Sequence, residues 1–226
     1  MAWDFGAQIN AFTGFDGNET TTASEEGENF DVLATRWLTD AAKEIINILP
    51  PLLKEKCTTE TTLNNSATTM DMDGVGEVLY VNRLSADSGG SRIPCRKVLS
   101  MYGELSNDSN SLYKASVTDP VYWILSSGDA AILNVIPTPT ANQTAIVYHI
   151  GYPTVDHADT AIANFPDEAE HLVPLRAAIN AVQYKLNFEE DPELYIPMLS
   201  SLKAQYQEAV QGLLSGNITP PQQGDK

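Results

Sequence analysis

Three histidines, His149, His157 and His171, are the side chains of this 226-residue chain best suited to proton transfer or metal ligation. None has a His, Cys or carboxylate partner at the spacing of an HExxH or HxH site. His149 falls in an apolar run and reads as a satisfied core residue. His157 sits in a loop and His171 on a helix; a joint metal site with Asp156 or Asp159 is the sharper and weaker reading. Asp71-Met72-Asp73-Gly74 resembles half of a calcium loop, but Val75 and Asn82 stand where such a loop needs its later ligands, so it reads as an acidic turn. There is no GxSxG elbow, no phosphate-binding GxxxxGK[ST] and no GxGxxG. Gly74, Gly76, Gly89 and Gly90 are turn glycines with no phosphate-binding lysine beside them. Thirty carboxylates guarantee chance pairs of the kind glycosidases use, and none is singled out by an apolar setting. Tyr122-Trp123 is the one aromatic pair that could stack a sugar, and burial within a strand weighs more. Expected catalytic, cofactor-binding and metal-binding residues are therefore none, and the chain reads as a non-enzyme without a cofactor.

Charge is the second informative quantity. Thirty acids against thirteen bases give a formal net charge of -17. Such a chain repels phosphate backbones and is a poor candidate for gripping nucleic acid. Solubility explains the charge blandly; a surface that nucleic acid slides past without sticking explains it functionally. Arg92, Arg96 and Lys97 form the one basic cluster and read as an ion-pairing edge or a contact to an acidic neighbour. Cys57 and Cys95 lack CxxC spacing; a disulfide is one reading, and two inert thiols in a reducing compartment the favoured one. The sequons at Asn18, Asn64, Asn107, Asn142 and Asn217 read as accidents of a Thr-rich chain. No run approaches the length of a membrane span, and MAWDFGAQINAF has neither the basic nor the apolar region of a signal peptide.

The elements that would have to position any site follow from periodicity. Residues 1–29 are rich in Gly, Thr, Ser and Glu and read as an extended arm, with Trp3, Phe5, Ile9, Phe12 and Phe15 docking either on a neighbouring subunit or within the chain. A helix is predicted over 30–49, with Leu33, Trp37, Ala41, Ile45 and Ile48 on one face, Asn29 as its cap and Pro50-Pro51 as its stop. A β-rich insertion spans about 57–153. It holds a strand within 57–70, a strand at 77–84, a loop at 85–91, a strand or helical turn at 92–102, a loop at 103–111 and an extended piece at 112–117. A meander of three strands follows: 121–125, then 130–136 after the hairpin Ser126-Ser127-Gly128-Asp129, then 145–152 after the turn 137–143. These strands are apolar at nearly every position, which predicts burial on both faces, by helices and by a neighbouring subunit. Phe165, Leu172, Ile179 and Leu186 then recur every seven residues, with Leu175 and Val182 between them. A helical hairpin over 166–214 is predicted, with Pro166 at its first position, Asp191 capping the second helix at Pro192, and Leu199, Leu202, Tyr206, Ala209 and Leu213 on its apolar stripe. Pro174 and Pro197 lie awkwardly inside these helices. Residues 217–226 are a polar tail. The fold class is α+β: a helical frame with a small antiparallel β-meander inserted.

This order resembles the head-to-tail adaptor, or neck connector, proteins of tailed bacteriophages. The residues that carry the resemblance are the N-terminal helix Phe30–Leu49, the Pro-Val-Tyr strand within Asp119–Ile124, and the strand Leu133–Pro139 ending in Pro-x-Pro. They continue with the Val-Tyr strand Val147–Pro153, the Phe-Pro-Asp-Glu helix start at Phe165–Glu168, and a helix rich in Ala177, Ala178 and Ala181. The likeness covers about residues 30–214 and leaves both arms outside it; residues 30–216 would form the adaptor domain. The resemblance implies a non-enzymatic virion protein, made in the host cytoplasm and placed in the neck. There it would form a homo-oligomeric ring, a dodecamer in that family, between the portal protein and the tail or further neck proteins, with DNA passing its lumen unbound and no membrane involved. Loops 85–91, 103–111 and 137–143 and the tail 217–226 would be the contacts. A stopper, tail terminator or tube protein is the alternative structural role, and a virion-associated carbohydrate-binding module or hydrolase the alternative from another class.

Overall fold

The computed structural model describes residues 3–15, 29–85, 90–127, 130–187, 193 and 195–216. It is an α+β protein of two compact units: a helical unit formed by Met1–Cys57 with Tyr152–Lys226, and a β unit, Thr58–Gly151, inserted between those halves.

In the helical unit, residues 5–13 correct the expectation of an extended arm. They form helix α1 (Phe5–Thr13), because Asp4 caps it by accepting from Ala7 N at 2.6 Å and Gly14 closes it in the left-handed region, φ 68°, donating to Asn10 O. Phe5, Ile9 and Thr13 recur at helical spacing and are buried, as is Phe15, so these residues pack within the chain, while Trp3 and Phe12 are exposed. Residues 16–28 of that arm lie outside the described residues. Helix α2 (Phe30–Ile48) begins where expected, with Asn29 Oδ1 accepting from Asp31 N at 3.3 Å. Its buried stripe is broader than the one read from spacing: Ala34, Leu38, Ala42 and Ile46 join Leu33, Ala41 and Ile45, while Trp37 is half-buried and Ile48 exposed. Leu49 turns extended (ψ 141°) ahead of Pro50, and helix α3 (Pro51–Lys54) carries the chain toward the β unit.

In chain order the remaining helices are α4 (Gly103–Asn107) in the β unit, then α5 (Asp167–Glu170), α6 (Leu172–Leu186) and α7 (Tyr195–Gly216). α6 packs against α1, α2 and α7. Leu172, Leu175, Ile179 and Val182 are buried as the heptad spacing requires, and buried Ala177, Ala178 and Ala181 let neighbouring helices approach closely. Both feared prolines prove harmless. Pro174 and Pro197 are each the third residue of their helix, where the backbone N–H has no intrahelical acceptor to lose. Pro166 stands one residue earlier than expected, as the cap of α5 with extended ψ 126°. α7 runs back along α6: Lys185, at the end of α6, lies near Phe15, which meets Tyr195 at the start of α7, while Arg176, early in α6, lies 5.9 Å over the Tyr206 ring midway along α7. The expected cap at Asp191-Pro192 and the tail 217–226 lie outside the described residues.

The β unit corrects the meander. It contains two four-stranded sheets. The first orders its strands β1 (Thr58–Leu63), β8 (Ala145–Gly151), β3 (Val75–Leu84) and β4 (Arg92–Pro94), all antiparallel. The second orders β2 (Thr69–Asp71), β7 (Ala130–Ile136), β6 (Val121–Ser127) and β5 (Arg96–Lys97), with β5 and β6 parallel. β6 and β7 form the expected hairpin, and its pairing extends to Ser127↔Ala130, so Ser126 and Ser127 are strand; Gly128 and Asp129 lie outside the described residues. β8 does not pair with β7, because β2 occupies that edge of β7 and the long turn 137–143 gives the chain reach to cross to the other sheet. It is a central strand, flanked by β1 and β3. Its faces differ: Val147 is fully buried and Tyr148 only partly. The expected sealing of these strands by helices is also corrected. One buried cluster draws Leu63, Met70, Val81, Tyr122, Leu133, Val135 and Val147 from both sheets, so the sheets cover each other's inner faces.

Two further segments differ from expectation. Residues 103–107 are helix rather than loop, and 112–117 are turns closed by a Ser116↔Asp119 bridge rather than an extended strand. Gly103 explains the first. A Cβ there would stand 2.3 Å from Cε2 of Trp123, so the missing side chain lets the helical turn lie flat on the indole. Gly103→Ala is expected to cost about 1–3 kcal/mol, read as a lower urea midpoint at unchanged slope.

Candidate functional site

The residues proposed for chemistry are dispersed. His149 sits on β8, 5% exposed, with Nε2 3.0 Å from Thr61 Oγ1 and Nδ1 3.2 Å from Ile150 O, a satisfied core histidine as expected. His157 ties the helical unit together. Its Nδ1 lies 2.9 Å from Asp156 Oδ1, its Nε2 3.7 Å from Asp31 Oδ1, and its carbonyl accepts from Gly6 N. Asp159 is turned the other way, accepting from Asp156 N. His171 is exposed where α5 gives way to α6. Among the described residues, no three His, Cys, Asp or Glu side chains are grouped to hold a metal ion. Asp71 accepts from Asp73 N and Gly74 takes φ 67°, which makes the acidic segment the turn joining β2 to β3. Tyr122 and Trp123 do not form a platform: alternate residues of a strand face opposite ways, so Tyr122 is buried between the sheets while Trp123 lies under α4.

Both cysteines are free and buried. Burial pushes the Cys57 thiol up to about 11 and the Cys95 thiol up to about 12, with Lys54 and Arg83 opposing respectively. A thiol-specific disulfide reagent at pH 8 is expected to label neither in the folded chain and both in denaturant. The folded state favours the neutral thiols, so their contribution to stability is complete below pH 9, the unfolded value, and is lost as pH rises toward 11 and 12.

The least expected polar feature is Arg83, inside what reads as an ordinary strand. It is 1% exposed. Its Nε donates to Pro137 O at 2.9 Å, Nη1 to Leu84 O at 3.0 Å, and Nη2 to Thr138 O at 3.4 Å and Gln143 Oε1 at 3.0 Å. Desolvation lowers its pKa, opposed by Cys95. The guanidinium thus fixes the crossing turn 137–143 from beneath, through carbonyls and an amide.

The feature best suited to a partner is a surface of the β unit. β5 leads through a 3₁₀ turn at Ser100–Tyr102 into α4. Along this path Leu99 (67%), Met101 (68%), Leu105, Leu112 and Tyr113 are exposed, with Leu112 fully so. Tyr102 and Tyr113 stack at 4.8 Å between ring centroids, and a shallow cavity of about 230 Å³ is lined by Arg96, Val98, Leu99, Tyr102, Ser106 and Tyr113. Of the expected basic edge, Arg96 pairs with Asp119 at 3.0 Å, and Arg92 and Lys97 are exposed. The sequence signal for this surface was present but hidden. Leu99 and Met101 stand at strand spacing within a segment that reads as strand or helical turn, and apolar residues there are read as core, so nothing marked them as outward-facing.

No known family model matches the chain, and no curated protein matches it. No helix among the described residues is long and apolar enough to cross a membrane.

Proposed function

We propose that this chain is a non-enzymatic structural subunit of a tailed-phage neck, a ring-forming connector between portal and tail through which DNA passes unbound. The observation that carries this reading is the exposed apolar surface running from Leu99 to Tyr113. Large apolar side chains gathered on one exposed segment are a liability for an isolated protein and suit burial against another protein. The charge of -17 supports the same reading, since an anionic bore lets a polyanion pass with little adhesion. The resemblance in element order supplies the setting: an N-terminal helix, a β insertion and a paired helical C-terminus.

Light scattering on the purified chain and electron microscopy, alone and with portal rings, test it. Closed rings, or density added to one face of the portal, are expected. A chain that stays monomeric at high concentration and adds nothing to portal rings overturns the reading.

A further inference from the structure

The exposed apolar surface of the β unit has a charge unlike the rest of the molecule. Residues 92–114 hold Arg92, Arg96, Lys97 and Lys114 against two acids, Glu104 and Asp108, in a chain whose net charge is -17. Arg96 lines the cavity beside Leu99 and Tyr113 but is paired with Asp119 at 3.0 Å, so the rim's charge rests on Arg92, Lys97 and Lys114, the last following Tyr113 directly. All four bases are exposed. An apolar centre with a cationic rim selects a partner whose own surface is apolar with carboxylates around it.

A second copy of this chain meets that description. Outside this window the chain is more acidic still, so a sister copy offers carboxylates in excess of bases to meet the rim. The complementarity is also asymmetric. The basic-apolar surface suits an acidic face and repels a copy of itself, which favours head-to-tail contacts over two-fold pairing. Head-to-tail contacts close into rings when the rotation allows. We infer that the surface formed by Leu99, Met101, Leu112 and Tyr113 with Lys97 and Lys114 is one half of the contact between successive copies, an inference that rests on the ring reading above.

The test compares the unaltered chain with three double variants by sedimentation and light scattering over a concentration series. Leu99→Asp/Met101→Asp alters two exposed side chains and is expected to weaken self-association on the order of a hundredfold, with circular dichroism and melting temperature unchanged. Should that pair disturb folding, Lys97→Glu/Lys114→Glu decides; it is expected to weaken association at least about tenfold. Lys43→Glu/Lys203→Glu, an equal charge change on exposed positions of α2 and α7, does not. Rings that persist in Leu99→Asp/Met101→Asp overturn this contact and leave the ring reading standing, with the surface free for a different virion protein. A wild-type chain that never self-associates overturns both.

Discussion

Replacing Arg83 with alanine is expected to destabilise the β unit by about 2–4 kcal/mol, as for breaking a buried hydrogen-bond network. The guanidinium is enclosed and, among the described residues, is held by Pro137 O, Leu84 O, Thr138 O and Gln143 Oε1. Truncation takes the donor from those acceptors, which are half-buried apart from the exposed Thr138, and each one that water does not reach costs about 1–3 kcal/mol. Methionine fills the volume without supplying donors, so Arg83→Met should recover little. Lysine keeps the charge but not the planar fork, and should recover only part. Urea denaturation followed by tryptophan fluorescence measures the loss, since Trp123 lies in the same unit. A loss under about 1 kcal/mol would show that solvent replaces the arginine and that the turn 137–143 is not held by it.

Ile9→Ala carries the second large effect, about 2–5 kcal/mol as for other fully buried aliphatic side chains. Ile9 is 0% exposed at the centre of α1, and α1 packs on α6, the helix shared by every long helix of its unit. An extended arm would make the same substitution nearly silent, so this variant separates the two descriptions of the N-terminus. Amide exchange offers an independent reading. The amides of residues 8–13 are hydrogen-bonded in a docked helix and exchange slowly, and Ile9→Ala should release them together. Fast exchange at these positions in the unaltered chain would sink the docked helix.

Periodicity made the helical unit legible because one helix face meets one core. The cap at Asn29 placed α2 within a residue or two; the seven-residue spacing from Phe165 through Ile179 marked the helical region, which the chain divides into α5 and α6 at His171 where one helix from Pro166 was expected. Proline position was harder to read. Pro174 and Pro197 looked disruptive only because the starts of their helices, at Leu172 and Tyr195, are set by tertiary packing and not by a capping residue in the described chain. α1 was missed because its composition resembles a linker, although Asp4 and Gly14 stood at the two capping positions. The strands were legible as strands and not as neighbours. Nothing local in Ala145–Gly151 states that β8 pairs with Thr58–Leu63, more than eighty residues earlier in the chain, rather than with the strand just before it. Arg83 was invisible for a similar reason, since its acceptors come from the distant 137–143 turn. Residues 103–111 and the basic trio Arg92, Arg96 and Lys97 read as candidate contacts in the sequence, but the outward-facing Leu99, Met101 and Leu112 beside them do not, because exposure is a property of the finished fold.

The pairing of Thr58 with Ile150 has one more consequence. The first residue of the inserted unit and nearly its last share a rung of one ladder, where opposed Cα atoms stand only about 5 Å apart. The host helices therefore feel the whole ninety-odd residues as if they were a tight loop. Such a cassette can be lengthened, trimmed or exchanged at its far side while the scaffold that carries it keeps its geometry, so new docking specificities can arise without refolding the frame.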